Sequence, residues 1–513
     1  MKKILYSSLF LSVLQSILFW NKSAGISVFL FLTSVILLIV YNLKEKEKIK
    51  NKKGILWAIP IELLGLTYFI FNNSLFMTLN LFAIFGLLVL MCMSITGTKI
   101  TQNRFIVNIL NKIFEPLSIL FDFISDFKLD KFKEKKNDEN DSKSSNVKKV
   151  VKSLIIAVPI ILVVLCLLAS ADSVFSNIFK GFFDFISKIF ENETIASILF
   201  RLVFIFICFV YIAGFIIQFV NEKQNQEKQT QVKSKKLRFN ELTMRIILIS
   251  LNVLYVIFSF IQFKYLFMNA GKAANFGYAE YARTGFSQLM VVSFINFALL
   301  YIAEKGEKLD KILKICLIIF TIIIVISAAF RMHLYEQEYG YTYLRLFVYF
   351  TLVTEILILV PVLAKVCGKD VDVFKVGLEI VVVMYVAVNF INMDKIIARN
   401  NIDRYLADPN NVEFDAYYLR DNVGTDAAEE LIKILKYDEG KISRKNKATF
   451  IRNRNEIVAM LNDFKDEYVK DYNPSIQEWN LSKNKIEKLV KDLDLLLEDV
   501  NEYEYENEYD LTI

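Results

Sequence analysis

Eleven long apolar stretches, separated by short polar segments, dominate this chain of 513 residues. A helix needs about 20 mainly apolar residues to cross the hydrocarbon core of a bilayer, and it pairs its backbone polar groups within itself. The candidate spans are 4–20, 26–41, 55–71, 75–95, 150–170, 195–220, 246–267, 286–303, 313–330, 344–364 and 376–391. The sequence therefore predicts an all-α fold, a polytopic membrane helical bundle of about 11 spans.

The lysines lie in alternate connections between these spans. Segment 42–54 contains six lysines and two glutamates, and segments 128–149 and 221–241 are also rich in lysine, whereas 21–25 and 72–74 hold one positive charge or none. Cytoplasmic loops carry the excess of Lys and Arg, so the N-terminus is predicted inside and, after an odd number of spans, the C-terminus outside. Heavy use of Lys, Asn and Ile is typical of AT-rich bacterial genes, so we expect the bacterial cytoplasmic membrane.

Shifts in composition divide the chain into four regions. Residues 1–127 are predicted to form a four-span N-terminal block, and the charged, low-complexity residues 128–149 a cytoplasmic linker. Residues 150–391 would form a seven-span core. Residues 392–513 carry helix-start signals between charged stretches and end in an acidic tail, which predicts a small extracytoplasmic helical domain.

Two apolar segments are too interrupted by charges to be counted as spans. Residues 105–127 contain Pro116, and residues 173–190 contain two lysines and an aspartate among phenylalanines. Such segments suit helices that lie in the membrane interface with their aromatic side chains buried. A re-entrant element that lines a cavity is the alternative.

Several kinds of site find no support in the sequence. The five cysteines have no metal-ligand spacing, His333 is the only histidine, and no nucleotide-binding or hydrolase motif occurs. No basic stripe interleaved with aromatics indicates a nucleic-acid partner. We therefore assign no catalytic residue, no metal site and no cofactor, and we favour a non-enzymatic role while leaving an enzymatic one open.

Two segments on the predicted outer side concentrate Arg, Tyr and Glu. In 268–285 the candidates for ligand binding are Tyr278, Glu280, Tyr281 and Arg283, and in 331–345 they are Arg331, Tyr335, Tyr339 and Arg345. Arg331, Tyr335 and Tyr339 recur every four residues, so one helical face would carry all three. The alternative is that these side chains anchor helix ends at the interface and bond between helices.

Three glutamates fall inside predicted spans: Glu62, Glu355 and Glu379. A charge at mid-depth costs about 2.5–3.5 kcal/mol on insertion scales, so such a group faces the bundle interior, finds a partner or takes up a proton. Glu355 and Glu62 both lie near the middle of their spans. For Glu355 an ion or proton relay and a simple hydrogen bond between helices are equally open. For Glu62 the hydrogen bond is favoured, and Glu379 lies near a span end, where its charge can reach water.

The strings Tyr-Ala-Glu-Tyr-Ala-Arg-Thr-Gly-Phe-Ser-Gln-Leu (278–289) and Arg-Met-x-Leu-Tyr-x-x-x-Tyr-Gly-x-Thr-x-Leu-Arg (331–345) resemble the signatures of a bacterial membrane family. That family is catalogued as domain of unknown function 4173, with a broader relative numbered 4153. The resemblance also takes in Ala398-Arg399-Asn400-Asn401-Ile402. It implies a multi-pass membrane protein and carries over no catalytic residue.

Three functions remain open, and we favour them in this order. The first is a non-enzymatic envelope component, a sensor or an assembly partner, whose outer side binds an envelope protein or a small molecule. The second is a transporter that uses Glu355 and the outer loops. The third is a membrane-embedded transferase acting on a lipid-linked substrate. The bilayer is the one partner common to all three.

Overall fold

A computed structural model describes residues 2–98, 105–127, 193–221, 240–263, 278–302, 308–470, 474–486 and 488–489. For some helix ends, including 117–127 and 278–284, it describes the backbone alone. Four sequence predictions therefore lie outside the described residues: the linker 128–149, the span 150–170, the segment 173–190 and the acidic tail.

Every element in the described part of the chain is a helix or a turn. The helices are α1 (Lys2–Phe19), α2 (Ile26–Glu45), α3 (Ala58–Ile70), α4 (Ser74–Thr96), α5 (Phe105–Phe127), α6 (Glu193–Val220), α7 (Glu241–Gln262), α8 (Tyr278–Ile302), α9 (Lys308–Tyr339), α10 (Tyr343–Val366), α11 (Val373–Asn389), α12 (Met393–Ala407), α13 (Ala416–Asn422), α14 (Ala428–Leu435) and α15 (Arg444–Lys465). A 3-10 turn at Lys52–Trp57 precedes α3.

Nine of the described helices are long and apolar enough to cross a membrane. They correspond to nine of the predicted spans, which confirms an all-α protein with many membrane helices. The predicted span 376–391 is different: α11 reaches the required length only together with α12, and the two are bent by 58°. Because α12 is rich in Arg, Asn and Asp, we treat α11 as the apolar member of that pair.

The first of two compact units comprises residues 1–65 and 81–232. In it α1 packs on α2 and α6, and α5 packs on α6. A Cβ at Gly214 would lie 2.7 Å from the carbonyl oxygen of Pro116, so the absent side chain lets α5 and α6 approach closely. Helix α5 is not among the nine apolar helices, and its predicted interfacial position stays a prediction.

The second unit comprises residues 66–80 and 233–513. Helices α7, α8 and α10 all pack against α9. Leu248, Leu317 and Leu352 are among the apolar side chains that fill the centre of this α7–α10 bundle. The bundle buries apolar side chains between helices while many others remain exposed, as expected of helices that also face lipid.

Helices α12 to α15 enclose a second apolar core in the same unit. Ile397, Leu419, Leu431 and Phe450 are fully buried there, and Phe76, Tyr343 and Val388 from the helices on the N-terminal side join them. The short helix α14 is strongly amphipathic, with the sequence AEELIKIL, which explains why it turns Leu431 and Ile434 inward. The placement of this segment outside the membrane stays a prediction.

Candidate functional site

The turn between α9 and α10 is built around Gly340. Its φ of +78° is in the left-handed region that terminates helices and that favours glycine. Asn401 binds both backbone polar groups of Tyr341, the residue after Gly340. Its Oδ1 accepts from the Tyr341 N–H at 2.7 Å, and its Nδ2 donates to the Tyr341 carbonyl at 2.9 Å. A Cβ on Gly340 would lie 2.3 Å from that Oδ1, so glycine is required for space as well.

Two arginines bind the carbonyl groups at the end of α9. Arg345 Nη1 donates to the carbonyls of Tyr339, at 2.9 Å, and of Gly340. Arg404 Nη1 donates to those of Gln337 and Glu338, at 3.0 and 2.7 Å. The last carbonyls of a helix have no partner within it and carry its negative dipole end. Both arginines therefore stabilise the end of α9.

Tyr335 and Tyr339 contact each other near the end of α9. Their rings are 5.0 Å apart, and the guanidinium carbon of Arg345 lies 4.3 Å from the centroid of the Tyr335 ring. Tyr339 is 53% exposed. Because residues 331–339 continue α9, the four-residue spacing of Arg331, Tyr335 and Tyr339 is a helical spacing. The structure thus brings three of the predicted ligand-binding residues together: Tyr335, Tyr339 and Arg345.

Arg331 lies inside the bundle instead. It is 6% exposed, and its Nη2 donates to Gln262 Oε1 at 3.2 Å. A Cβ at Gly285 would lie 1.7 Å from Arg331 Nη1, so the guanidinium group occupies the space left by a glycine of α8. Both sequence strings, 278–289 and 331–345, meet at this contact.

The four remaining predicted ligand-binding residues, those of segment 268–285, lie in the first turns of α8. Helix α8 starts at Tyr278, ahead of the predicted span 286–303, so the last part of 268–285 is helical. The side chains of Tyr278, Glu280, Tyr281 and Arg283 lie outside the described residues, and so does 268–277. Their role as ligand-binding residues stays a prediction.

The three predicted intramembrane glutamates have different surroundings. Glu355 is 4% exposed, and its Oε2 is 2.9 Å from Ser293 Oγ. Glu62 accepts a hydrogen bond from Thr33 Oγ1 at 3.1 Å in the first unit. Glu379 is exposed on α11. Only Glu355 is enclosed by its helices.

A fourth glutamate, Glu336, is buried near the end of α9. It is 1% exposed, and its Oε2 accepts from the hydroxyl of Tyr349 on α10 at 2.8 Å. Glu336 was not among the predicted site residues, since it lies among other polar residues in 331–345. The continuation of α9 to Tyr339 places it inside.

The turn between α3 and α4 forms a buried polar cluster with the C-terminal helices, which we call the C-terminal junction. Asn73 Nδ2 donates to Asp394 Oδ1 at 2.8 Å and to the Tyr343 hydroxyl at 2.6 Å. The other oxygen of Asp394 accepts from the Gly424 N–H at 3.2 Å. Asn72 adds two bonds, from its N–H to Asp426 Oδ2 at 3.0 Å and from Nδ2 to Thr425 Oγ1 at 3.1 Å.

Polar contacts continue from the junction along the inner faces of α3, α4 and α11. Asn80 Nδ2 donates to Asn389 Oδ1 at 2.7 Å and to Thr67 Oγ1 at 3.1 Å, and Asn80 Oδ1 accepts from the Tyr385 hydroxyl at 2.7 Å. Asn480, beyond α15, donates to the carbonyls of Tyr68 and Phe71, both at 2.8 Å. These bonds fasten the C-terminal segment to the ends of apolar helices.

A small cavity lies beside the junction, lined by Asn73, Asn389, Asn392, Asp394 and Asp426 among others. The cavity volume open to the centre of a water molecule is about 20 Å³, which is room for roughly one water. One lining group, the Asp426 carboxyl, has a pKa that burial raises above its usual range. Hydrogen bonds from Ser482 and Asn72 and the charge of Lys485 lower this pKa, but burial has the larger effect. A cavity of this size suits a water molecule.

A comparison with protein-family models assigns the chain to a family. The family model described as a domain of unknown function, DUF4153, matches residues 58–434, which is well over half of the sequence. The chain belongs to the DUF4153 family. No curated protein and no solved structure matches it.

The DUF4153 match extends from the start of α3 into α14, so it includes both sides of the C-terminal junction as well as the α7–α10 bundle. The junction residues Asn73 and Asp394 of this DUF4153 protein were not predicted from the sequence. One signal was present: Asn73 precedes an apolar run and accepts from the Phe76 N–H at 2.9 Å, as a helix-capping asparagine does. Its bond to Asp394 joins positions far apart in the chain and has no local signal.

Proposed function

We propose that this DUF4153 protein is a non-enzymatic component of the bacterial cell envelope, a sensor or assembly partner that binds its partner through the C-terminal helical segment. The binding surface would include the exposed Tyr339 at the end of α9. Binding there would alter the membrane helices, because the same turn is held by side chains of α12.

The observation that carries this proposal is that buried and half-buried polar residues of α12 connect it to other helices. Arg404 and Asn401 of α12 bind the backbone at the end of α9 and the turn after it. Asn73 binds Asp394 at the start of α12. A partner that displaces α12 would therefore pull on α9 and on the α3–α4 turn together.

The proposal includes an orientation, with the N-terminus in the cytoplasm and the C-terminal segment outside the cytoplasmic membrane. Cys367 offers an internal reference, because it is exposed in the predicted cytoplasmic connection between α10 and α11. In a variant whose other cysteines are serine, a membrane-impermeant maleimide should label Cys367 only after permeabilisation. A Tyr417→Cys variant without Cys367 should be labelled in intact cells, since Tyr417 is 51% exposed. The reverse pattern overturns the orientation.

Partner binding is tested by a photo-crosslinking amino acid in living cells. It would replace Tyr339 or Tyr417, which are both about half exposed, and Phe260, which is 74% exposed on the apolar helix α7, as the control. We expect a discrete adduct with an envelope protein from the first two positions and lipid adducts alone from Phe260. Adducts with cytoplasmic proteins, or the absence of a discrete adduct at both tyrosine positions, would refute the proposal.

A further inference from the structure

Polar side chains occur along the whole length of the α7–α10 bundle. Helix α9 provides the scale: from Asp310 to Glu336 it extends about 39 Å at roughly 1.5 Å per residue, and both side chains are buried. This length exceeds the hydrocarbon core of a bilayer, which is about 30 Å thick. We call the following set the polar row: Arg245, Asn252, Tyr255, Ser293, Asn296, Asp310, Thr321, Ser327, Arg331, Glu336, Tyr349 and Glu355.

The half of the polar row that begins at Asp310 contains two separate groups of direct hydrogen bonds. Arg245 Nε donates to Asp310 Oδ1 at 2.7 Å. Further along, the Tyr255 hydroxyl donates to Asn296 Oδ1 at 2.8 Å, and Asn296 Nδ2 donates to Thr321 Oγ1 at 3.0 Å. Three helices, α7, α8 and α9, thus share one hydrogen-bonded layer.

The other half ends at Glu336. Arg331 binds Gln262 of α7 at 3.2 Å, and Glu336 binds Tyr349 of α10 at 2.8 Å. Buried Ser327 lies on α9 between Thr321 and Arg331. Its Oγ has no hydrogen-bond partner among the described residues. Such buried polar atoms are unusual in proteins and require an explanation.

Glu355 occupies the middle of the row, near the centre of α10. Its carboxyl group is enclosed, and Oε1 has no hydrogen-bond partner within the described part of the chain. An acid of this kind, at mid-depth and without a cation as partner, is costly to keep in a membrane and marks ion or proton pathways.

The bond between Glu355 and Ser293 is compatible with both protonation states. Ser293 Oγ lies 2.9 Å from Glu355 Oε2 and 2.8 Å from the Met290 carbonyl, but a hydroxyl has a single proton to donate. When the carboxyl is ionised, Ser293 can donate to it; when it is protonated, the acid can donate to Ser293, whose proton then goes to Met290. A proton can therefore be taken up and released without moving heavy atoms.

We propose that the polar row is a path for protons across the membrane, with Glu355 as the carrier in the middle. One proton from one side converts the Glu355 carboxylate into the acid, and the acid then releases a proton to the other side and regenerates the carboxylate. One positive charge crosses for each cycle, driven by the proton gradient or by the membrane potential. This activity goes beyond the proposed envelope role and does not depend on it.

The test uses the purified full chain in liposomes that contain a pH-sensitive dye, with a potassium gradient and valinomycin setting the potential. We expect the wild type to change the internal pH, reversing its direction with the sign of the potential. The Glu355→Gln variant should reduce the rate at least tenfold, to that of empty liposomes. The matched control is Glu62→Gln, which removes the other hydrogen-bonded intramembrane glutamate and should leave the rate unchanged.

Two further measurements keep the test decisive if Glu355→Gln fails to fold. Ser293→Ala retains the carboxyl but removes its partner, and it should slow the flux several-fold. Dicyclohexylcarbodiimide, which modifies protonated carboxyl groups in membranes, should label Glu355 and block the flux together. A wild type no faster than empty liposomes, a flux of Na⁺ in place of protons, or an undiminished flux in the labelled protein or in Glu355→Gln would overturn the proposal.

Discussion

The C-terminal junction and the polar row are both buried polar regions of the same unit, but they treat their carboxyl groups differently. In the junction, both oxygens of Asp394 accept hydrogen bonds, one from Asn73 and one from Gly424. In the row, Glu355 has one bonded oxygen, and the described residues offer no partner to the other. A fully paired buried group specifies a structure, whereas a partly paired one is costly and is retained where it has a use.

This comparison predicts that the two regions respond oppositely to substitution. Changes in the junction should lower stability and leave proton flux intact in the protein that remains folded. A nearly isosteric change at Glu355 should abolish the flux and leave stability almost unchanged.

The largest loss of stability is expected for Asn73→Ala. It removes the bonds to Tyr343, Asp394 and the Phe76 N–H and leaves a buried carboxyl with half of its partners. We expect a loss of roughly 3 kcal/mol or more, because each buried group left without a partner costs about 1–3 kcal/mol. Thermal unfolding in detergent measures it. Asn400→Ala is the control, since Asn400 Nδ2 donates to the Ile396 carbonyl of its own helix; an equal loss there would contradict the argument.

A smaller loss is expected for Gly285→Ala. The new methyl group would meet Arg331 Nη1, so the arginine must move and its bond to Gln262 breaks. Overpacking of this kind costs about 1–3 kcal/mol, and we also expect slower proton flux because the row is interrupted. The matched control is Gly377→Ala, where the nearest atom, Ile358 Cγ2, is 4.0 Å from the added Cβ. That variant should be as stable as the wild type or slightly more stable.

The pH dependence of stability should contain a contribution from Asp426. Its pKa is raised in the folded protein, so it stabilises the fold fully below the unfolded pKa of about 3.9 and loses this contribution as the pH rises through the folded value. Asp426→Asn should therefore flatten the fall in unfolding temperature above about pH 4. An unchanged pH profile in this variant would show that the carboxyl titrates as it does in water.

The smallest effect is expected at the surface of the C-terminal helices. Lys433 forms ion pairs with Asp403 at 2.8 Å and Glu430 at 2.7 Å, but its side chain is 40% exposed. Exposed ion pairs contribute about 0–1 kcal/mol, so Lys433→Ala should change the free energy of unfolding by less than about 1 kcal/mol. A loss as large as that of Asn73→Ala would mean that surface charges, and not the buried junction, hold these helices.

Much of the fold could be predicted from the sequence because long apolar runs are local signals. Nine predicted spans correspond to described helices, and the spacing of Arg331, Tyr335 and Tyr339 is helical. The boundaries were less accurate: α8 begins at Tyr278, before the predicted span 286–303, and α9 continues to Tyr339, beyond the predicted span 313–330. A polar segment near a helix end has the composition of a loop, because the sequence does not show which residues of other helices pair with its side chains.

The sequence by itself determined that this chain is a bundle of membrane helices, since apolar length and hydropathy decide what can cross a bilayer. It also singled out Glu355 as a charge that insertion does not explain. Only the tertiary structure decided how the polar residues are used. In that structure Arg345 donates to carbonyl groups at the end of α9, and Arg331 is buried in the space beside Gly285. Asn73 forms a hydrogen bond with Asp394. Those pairings depend on packing between distant segments, because a buried polar group takes its role from the partner that replaces water.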